Sequence, residues 1–230
     1  MAKITVPCGK TVQEAFISDD IELQVIDVDV PKVNISEEQL IKEAMDNPVG
    51  SDRVKNLVTK DDKVVIVVND HTRPGPTKAI VKEVINRLKS AGVMDDHIKF
   101  IVATGSHRKT TEKEISQIIG SEYKSRFEVV VHDCLDKENI VYIGDTASSV
   151  PIYVNKLVAQ CTFCITTGLI SPHHTAGYSG GRKSIVPGVA GIDTLKIHHS
   201  LPIRPFEPAM GFIYGNPFHE VALEAAKKLN

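Results

Sequence analysis

An α/β fold with a Rossmann-like, mostly parallel sheet flanked by helices follows from three features of this 230-residue sequence. Strand and helix signals alternate along the chain, the order that builds parallel sheets from strand–helix crossovers. One segment, Lys63-Val-Val-Ile-Val-Val-Asn-Asp70, is a near-continuous β-branched run, the pattern of a central strand covered on both faces. The hydrophobic fraction, 42%, suffices to bury the core of one large α/β domain or two small ones.

Taken in order, residues 21–30 alternate apolar and polar, as a half-buried strand does. Ser36 followed by Glu37 and Glu38 gives a hydroxyl cap with early acidic residues and predicts a helix start. A second short helix follows Ser51. The strand at 63–70 leads through His-Thr-Arg-Pro-Gly-Pro into a helix over 77–90, where Ile80, Val81, Val84, Ile85 and Leu88 keep helical spacing. A strand over 98–104 runs into Gly-Ser-His-Arg-Lys, and Thr110 and Thr111 introduce a helix through Ile119. Strands are expected near 127–132, 139–144, 151–155 and 160–167. The tail from Pro217 to Asn230 reads as a helix without a stop signal. No internal repeat or low-complexity segment interrupts this order.

Composition excludes several functions. There are 27 basic and 29 acidic residues, with no concentrated block of either sign. Nucleic-acid binding through phosphate contacts needs a positive face that this balance does not offer. At 5% aromatic residues, stacking platforms for single strands are also excluded. The N-terminus lacks the apolar stretch of a signal peptide, and no apolar run has bilayer-spanning length. The expected compartment is the cytoplasm, with no membrane partner and with Cys8, Cys134, Cys161 and Cys164 reduced. Cys161-Thr-Phe-Cys164 falls in residues 157–168, which read as a buried strand. Strand positions three apart face opposite ways, so a core role is favoured over metal chelation.

In doubly wound sheets ligands bind beyond the carboxyl ends of the strands. Three polar segments fall there. In Asp70-His-Thr-Arg-Pro-Gly-Pro76 the prolines restrain a loop that presents Asp70 and Arg73. The arginine offers a planar fork for a carboxylate or phosphate, or else pairs with Asp70 to tie the loop. In Ala-Thr-Gly-Ser-His107, Gly105 permits a tight exit, and His107 stands where a general base works near neutral pH. The third runs Ser171-Pro-His-His-Thr-Ala-Gly-Tyr-Ser-Gly-Gly-Arg-Lys183 and on through Pro-Gly-Val-Ala-Gly191 to His198 and His199. Its glycines, Gly180 and Gly181 among them, can form an anion-binding nest. It is neither a Walker A loop nor a dinucleotide fingerprint. Lys183 follows the glycines directly, where burial and Arg182 would make its amine nucleophilic.

These segments, in this order and over most of the chain, resemble the nickel-pincer-nucleotide lactate racemases and their 2-hydroxy-acid relatives. The resemblance implies a 2-hydroxy-acid racemase or epimerase, an isomerase that handles a small 2-hydroxy-acid substrate. It implies a pyridinium-3,5-bisthiocarboxylic acid mononucleotide carrying nickel, tethered covalently at Lys183 and supplied by cofactor-synthesis proteins. It makes His199, sixteen residues after that lysine, the nickel ligand and His107 and His173 the acid/base pair. Arg73 becomes the substrate-orienting residue, and Asp70, Thr72, Gly180 and Gly181 become cofactor contacts. Two bases suit a reaction whose enantiomers present their hydroxyls to different sides, and histidines of ordinary, near-neutral pKa would serve. Nickel with sulfur donors favours a square-planar site that an imidazole can complete. The implied organisation is residues 1–230 as an N-terminal cofactor-binding domain. The C-terminal domain that closes over the site in the family lies outside this chain, which would be inactive alone. A homo-oligomer is compatible with this reading. Two other readings use the same residues: a non-enzymatic nucleotide- or phosphate-binding module built on the glycine nest, and a zinc hydrolase using several of the histidines.

Overall fold

In the computed structural model, described for every residue except 27, 29, 30, 32, 205, 206, 208 and 230, residues 1–34 and 35–230 form two separate units. The first unit is an antiparallel hairpin of β1 (Ala2–Cys8) and β2 (Thr11–Ile17), joined by a two-residue turn with Gly9 at φ 60°. A positive φ at such a turn is cheap only for glycine. Residues 21–26 are not a strand, and Ile21, Leu23, Val25 and Ile26 are exposed. Alternation specifies which face a strand would bury, but a strand also needs a neighbour to bond, and none among the described residues takes that place. The rest of the strand expected over 21–30 includes positions 27, 29 and 30, outside the described residues.

The second unit follows the expected alternation. Ser36 caps α1 (Glu37–Asp46), its hydroxyl accepting from the Gln39 amide at 3.2 Å. The short α2 (Val54–Leu57) precedes β3 (Val64–Asn69), and α3 (Thr77–Ser90) leads to β4 (Ile98–Ala103). Thr111 and Glu114 form a capping box at the start of α4 (Glu112–Ile119), which α5 (Ser121–Arg126) and β5 (Glu128–Val131) follow. The strands expected near 139–144 and 151–155 are β6 (Ile140–Asp145) and β7 (Pro151–Asn155), and they pair with each other, antiparallel, apart from the main sheet. The segment read as one buried strand divides into α6 (Lys156–Gln160) and β8 (Phe163–Thr166).

The main sheet is parallel throughout, in the order β5-β4-β3-β8. Its two faces hold two cores, as the period of two along a strand requires. Val64, Ile66 and Val68 join Ile98, Phe100 and Val102 against Val81, Val84 and Ile85 of α3 and Ile115 of α4. On the other face Val65, Val67 and Ile101 pack with Ile152 and Val154 of β7 and with Ile185, Val186 and Val189. Phe218 and Val221 complete that side from α8 (Pro217–Lys227). Cys161 and Cys164 pack at its margin. They are not both on a strand: Cys161 follows α6, its thiol donates to the Val158 carbonyl at 3.2 Å, and the free Cys164 thiol lies close enough to influence it. The premise that they face opposite ways fails because the helix turn lets Cys161 swing back.

The last segment to join the second core is held by close backbone contact. A methyl group at Gly188 would meet the Ser184 carbonyl oxygen at 2.3 Å and its carbon at 2.7 Å. Gly75, between two prolines, has nothing within 4 Å. Gly188→Ala is therefore expected to destabilise the fold by about 1–3 kcal/mol, while Gly75→Ala stays within about 0.5 kcal/mol. Urea unfolding of both variants checks this; equal midpoints would contradict the packing described.

Candidate active site

The carboxyl ends of β3 and β4 open into a cavity of about 320 Å³. Asn69, Asp70 and Arg73 enter it from β3 and its loop, and Thr104, Gly105 and His107 from β4. The opposite wall is residues 169–188 with His199, and Phe218 of α8 closes it. Of the residues expected at the site, Asp70, Arg73, His107, His173, Gly180, Lys183 and His199 all line this one cavity. Thr72 stands behind Asp70. Gly181 lines a separate depression with Cys164 and Ala226.

Backbone bonds hold the two walls together. The Gly105 amide donates to the Gly188 carbonyl at 2.9 Å, and the Gly188 amide donates to the Lys183 carbonyl at 3.0 Å. Behind them the buried Thr104 hydroxyl donates to the His132 carbonyl at 2.6 Å, and His132 Nε2–H donates to the Ala190 carbonyl at 3.0 Å. Burial holds His132 below its ordinary pKa, so it serves as a neutral strut.

Asp70 is 2% exposed. Its Oδ1 accepts from the Thr72 amide and hydroxyl at 3.1 and 2.7 Å, and its Oδ2 lies 2.7 Å from His107 Nδ1. Burial raises the carboxyl, but the bonds from Thr72 and His107 outweigh it and hold Asp70 below the ordinary carboxylate value. Asp70 thus pairs with His107, not with Arg73.

Lys183 lies in a 3₁₀ turn, Gly181–Ser184, entered through Gly180 at φ 78°. A side chain at Gly180 would also strike Ile170 at 2.9 Å, so the turn requires glycine. Burial, reinforced by the charges of Arg73 and Arg182, lowers the Lys183 amine to about 8. It stands over the Phe218 ring, 5.9 Å from its centroid.

Helical geometry separates His198 from His199. Residues 192–198 form α7 (Ile192–His198), and successive residues on a helix point about 100° apart. His198 turns inward, fully buried, donating Nε2–H to the Phe218 carbonyl at 2.9 Å. Burial lowers it to about 4. His199 faces the cavity, with Nδ1–H donating to the Leu195 carbonyl at 3.2 Å and no partner on Nε2 among the described residues. His173, in β9 (Pro172–His173) paired with β10 (Gly177–Tyr178), stacks on His174 at 4.6 Å. Burial first, then Lys183, His174, Arg73 and Arg182, lower His173 to about 4, so the expectation of two near-neutral histidines fails there.

Three cations line the cavity, Arg73, Lys183 and Arg204. Among the described residues its one lining carboxylate is Asp70, already engaged. The cavity is therefore suited to anions. Arg204 and Phe218 were not anticipated: they arrive from segments with no strand-end signal. Among the described residues no three His, Cys, Asp or Glu side chains gather as metal ligands. Among those residues a zinc site built from protein ligands has no donor set. Among the same residues no helix is long and apolar enough to cross a membrane.

Amine acylation tests the Lys183 environment. With a water-soluble N-hydroxysuccinimide ester, labelling of Lys183 should rise through about pH 8, whereas lysines of ordinary pKa rise only toward about 10. Peptide mass spectrometry reads this site by site, and labelling of Lys183 in step with the surface lysines would refute the desolvated amine.

Comparison with known proteins gives a consistent result. Residues 8–211 match the family model described as Lactate racemase N-terminal domain. The lactate racemase of Thermoanaerobacterium thermosaccharolyticum is 37% identical over 100% of this chain and 54% of its own length. That of Lactiplantibacillus plantarum is 34% identical over 84% of this chain and 46% of its own. The chain thus spans about half the length of these relatives. The lactate racemase apoprotein structure from T. thermosaccharolyticum superposes with a TM-score of 0.85 at 32% identity, over 100% of this chain and 54% of that one. A crystal structure of a Thermotoga maritima protein, 23% identical with a TM-score of 0.63 over 84% of this chain and 47% of that one, shares the fold.

Proposed function

Because the chain belongs to the lactate racemase N-terminal domain family, we infer that it forms the cofactor-binding part of an isomerase that racemises lactate or a related 2-hydroxy acid. The observation that carries the reading is the convergence of Lys183, His199, His107, His173 and Arg73 on one cationic cavity. When bound, a nickel-pincer nucleotide supplies the hydride acceptor and donor that racemisation at C2 needs.

The residues suit that group. His199 has its Nδ1–H on the Leu195 carbonyl, a usual support for a metal-bound histidine, and no partner on Nε2 among the described residues. One protein ligand is the right number for a nickel ion whose other donors come from the nucleotide itself. Lys183, partly uncharged near pH 8, suits covalent attachment. The cavity's cations suit the nucleotide phosphate and the substrate carboxylate, with Arg73 as the carboxylate fork. Gly180 lets the Lys183 turn approach closely, and Thr72 acts through Asp70. His107, braced by Asp70, is placed to take the hydroxyl proton. The nucleotide-binding-module reading shares the anion-binding features but leaves the Asp70–His107 pair without a use.

The test is made on the complete polypeptide, co-expressed with cofactor-synthesis proteins. Peptide mass spectrometry should show an adduct on Lys183, and chiral chromatography should show D- and L-lactate, or another 2-hydroxy acid, interconverting. Lys183→Ala should abolish both. An unmodified Lys183 with no interconversion of any 2-hydroxy acid would sink the reading. Asp70→Asn should lower kcat by about 10²–10⁴, because an amide donor to Nδ1 selects the wrong tautomer of His107. Steady-state kinetics on folded protein measures this, and an unchanged kcat would remove His107 as the base.

A further inference from the structure

Arg182 precedes the tether candidate in the turn Gly181–Ser184, and its surroundings are unusual for an arginine. It is half-buried, its Nε is shielded from solvent with no partner among the described residues, and no carboxylate is among the groups that act on it. Burial alone moves its pKa, downward from the ordinary value. A guanidinium taken out of water without a counter-ion weakens a fold. Its position therefore calls for a reason other than stability.

The reason lies in what Nη2 touches. Its two hydrogens go to two backbone carbonyls, Ala176 at 2.8 Å and Tyr178 at 3.0 Å. Tyr178 ends β10 and Ala176 precedes it, so one nitrogen spans the whole strand. β10 pairs with β9 through two residue pairs alone, Gly177 with His173 and Tyr178 with Pro172. A ribbon that short does not hold itself in place. Residues 209–216 supply part of its support: the Ala209 amide donates to the His174 carbonyl at 3.1 Å, the Gly211 amide to the Gly177 carbonyl at 3.0 Å, and Asn216 Nδ2 to the Thr175 carbonyl at 2.8 Å. Arg182 joins the same ribbon to the Lys183 turn.

The ribbon carries a side chain of the cavity. His173 Nδ1 accepts from the Thr175 and Ala176 amides, each at 3.2 Å. Ala176 thus gives its amide to the His173 ring and its carbonyl to Arg182. A single residue links that ring to the guanidinium, and the residue after the guanidinium is Lys183. His173 and Lys183 both line the cavity, whereas Arg182 does not. Arg182 therefore acts through its neighbours.

We propose that Arg182 is a positioning residue of the active site: it clamps the β9–β10 ribbon to the Lys183 turn and so sets the place of His173 relative to the tether, through the reach of Nη2 and not through charge. This rests on the racemase reading above, and the acid/base assignment of His107 and His173 is unchanged by it. The rival explanation is electrostatic, because the Arg182 charge also acts on His173, Lys183 and His198. A lysine at 182 would serve that purpose as well as an arginine. It would not serve as the clamp, because its side chain ends one bond short of Nη2.

The test compares two substitutions in the complete polypeptide. Arg182→Lys keeps the charge and loses the reach. Arg182→Met keeps the apolar stem and loses both, and since it strands no carboxylate the fold should survive it. In the apoprotein, hydrogen–deuterium exchange read by mass spectrometry should quicken by about tenfold in peptides covering 171–180, the loss expected for charge-assisted hydrogen bonds. Peptides from β3 and β4 should exchange as before. In the cofactor-loaded enzyme, rates are counted per Lys183 adduct, so that unfolded or unloaded protein does not enter. Both variants should lose about 10- to 100-fold in kcat with KM kept within about threefold, the pattern of a displaced group that does not itself bind substrate. Unchanged exchange in Arg182→Lys, or a kcat within about twofold of the unaltered enzyme, overturns the proposal. So does a loss in Arg182→Met that Arg182→Lys restores, since charge would then be the cause. An unaltered enzyme that interconverts no 2-hydroxy acid sinks the racemase reading instead, and the exchange rates still decide whether the clamp exists.

Discussion

The bond from the Gly105 amide to the Gly188 carbonyl is the constraint on which the cavity depends. It ties the loop that leaves β4 to the segment that carries Lys183. Two residues along the first loop stands His107, and through the Gly188 amide the second segment is bonded back to Lys183 itself. The tether candidate and the base candidate, 76 positions apart, are thus fixed relative to each other by two consecutive backbone bonds. Within the second wall the Arg182 guanidinium adds a tie, donating to the Ala176 and Tyr178 carbonyls at 2.8 and 3.0 Å. The Thr104–His132–Ala190 chain repeats the tie one layer deeper, with buried partners that cannot trade it for water.

The electrostatics follow from that frame. The loops bring Arg73, Lys183 and Arg204 to one volume, and the available carboxylate is spent on Thr72 and His107. Mutual repulsion and desolvation make the cations costly, and the Lys183 amine relieves part of the cost by giving up its proton more readily. An amine that gives up its proton near pH 8 beside a guanidinium is a poor way to stabilise a fold, and it suits a nucleophile. An arrangement that is locally unfavourable, yet firmly supported behind, is the pattern expected where a site is built for an anion.

Much of this was legible in the sequence, for identifiable reasons. The helices starting after Ser36 and Thr111 have their start signals within a turn of sequence, and caps act over that distance. The buried β-branched run of β3 marked the sheet centre, and the rule that ligands sit beyond strand carboxyl ends then located Asp70, Arg73 and His107. What failed depended on distant partners. Residues 21–26 alternate without a strand to pair with, and β6 and β7 pair with each other where sequence order suggested more of the parallel sheet. The hairpin at the N-terminus carried its signal, a glycine turn between alternating segments, but a two-stranded ribbon is marked only weakly by so short a pattern. Cys161 and Cys164 pack against the core as expected, but their opposed facing fails because the residue before a strand is not bound by the strand's alternation. Arg204 and Phe218 reach the cavity from positions that no local signal marks.

The tautomers of the two histidines lie beyond any sequence pattern, because they are set by what each Nδ1 meets. His107 meets a carboxylate 37 positions away, and His173 meets the amides of its own turn. The second arrangement is local, yet it depends on the turn into β10 closing tightly enough for two amides to converge. Residue type makes the two positions alike, and hydrogen bonding gives their rings opposite tautomers. A site assembled from two identical side chains is in this way polarised by the backbone beneath one and the carboxylate beneath the other, without any difference in the side chains themselves.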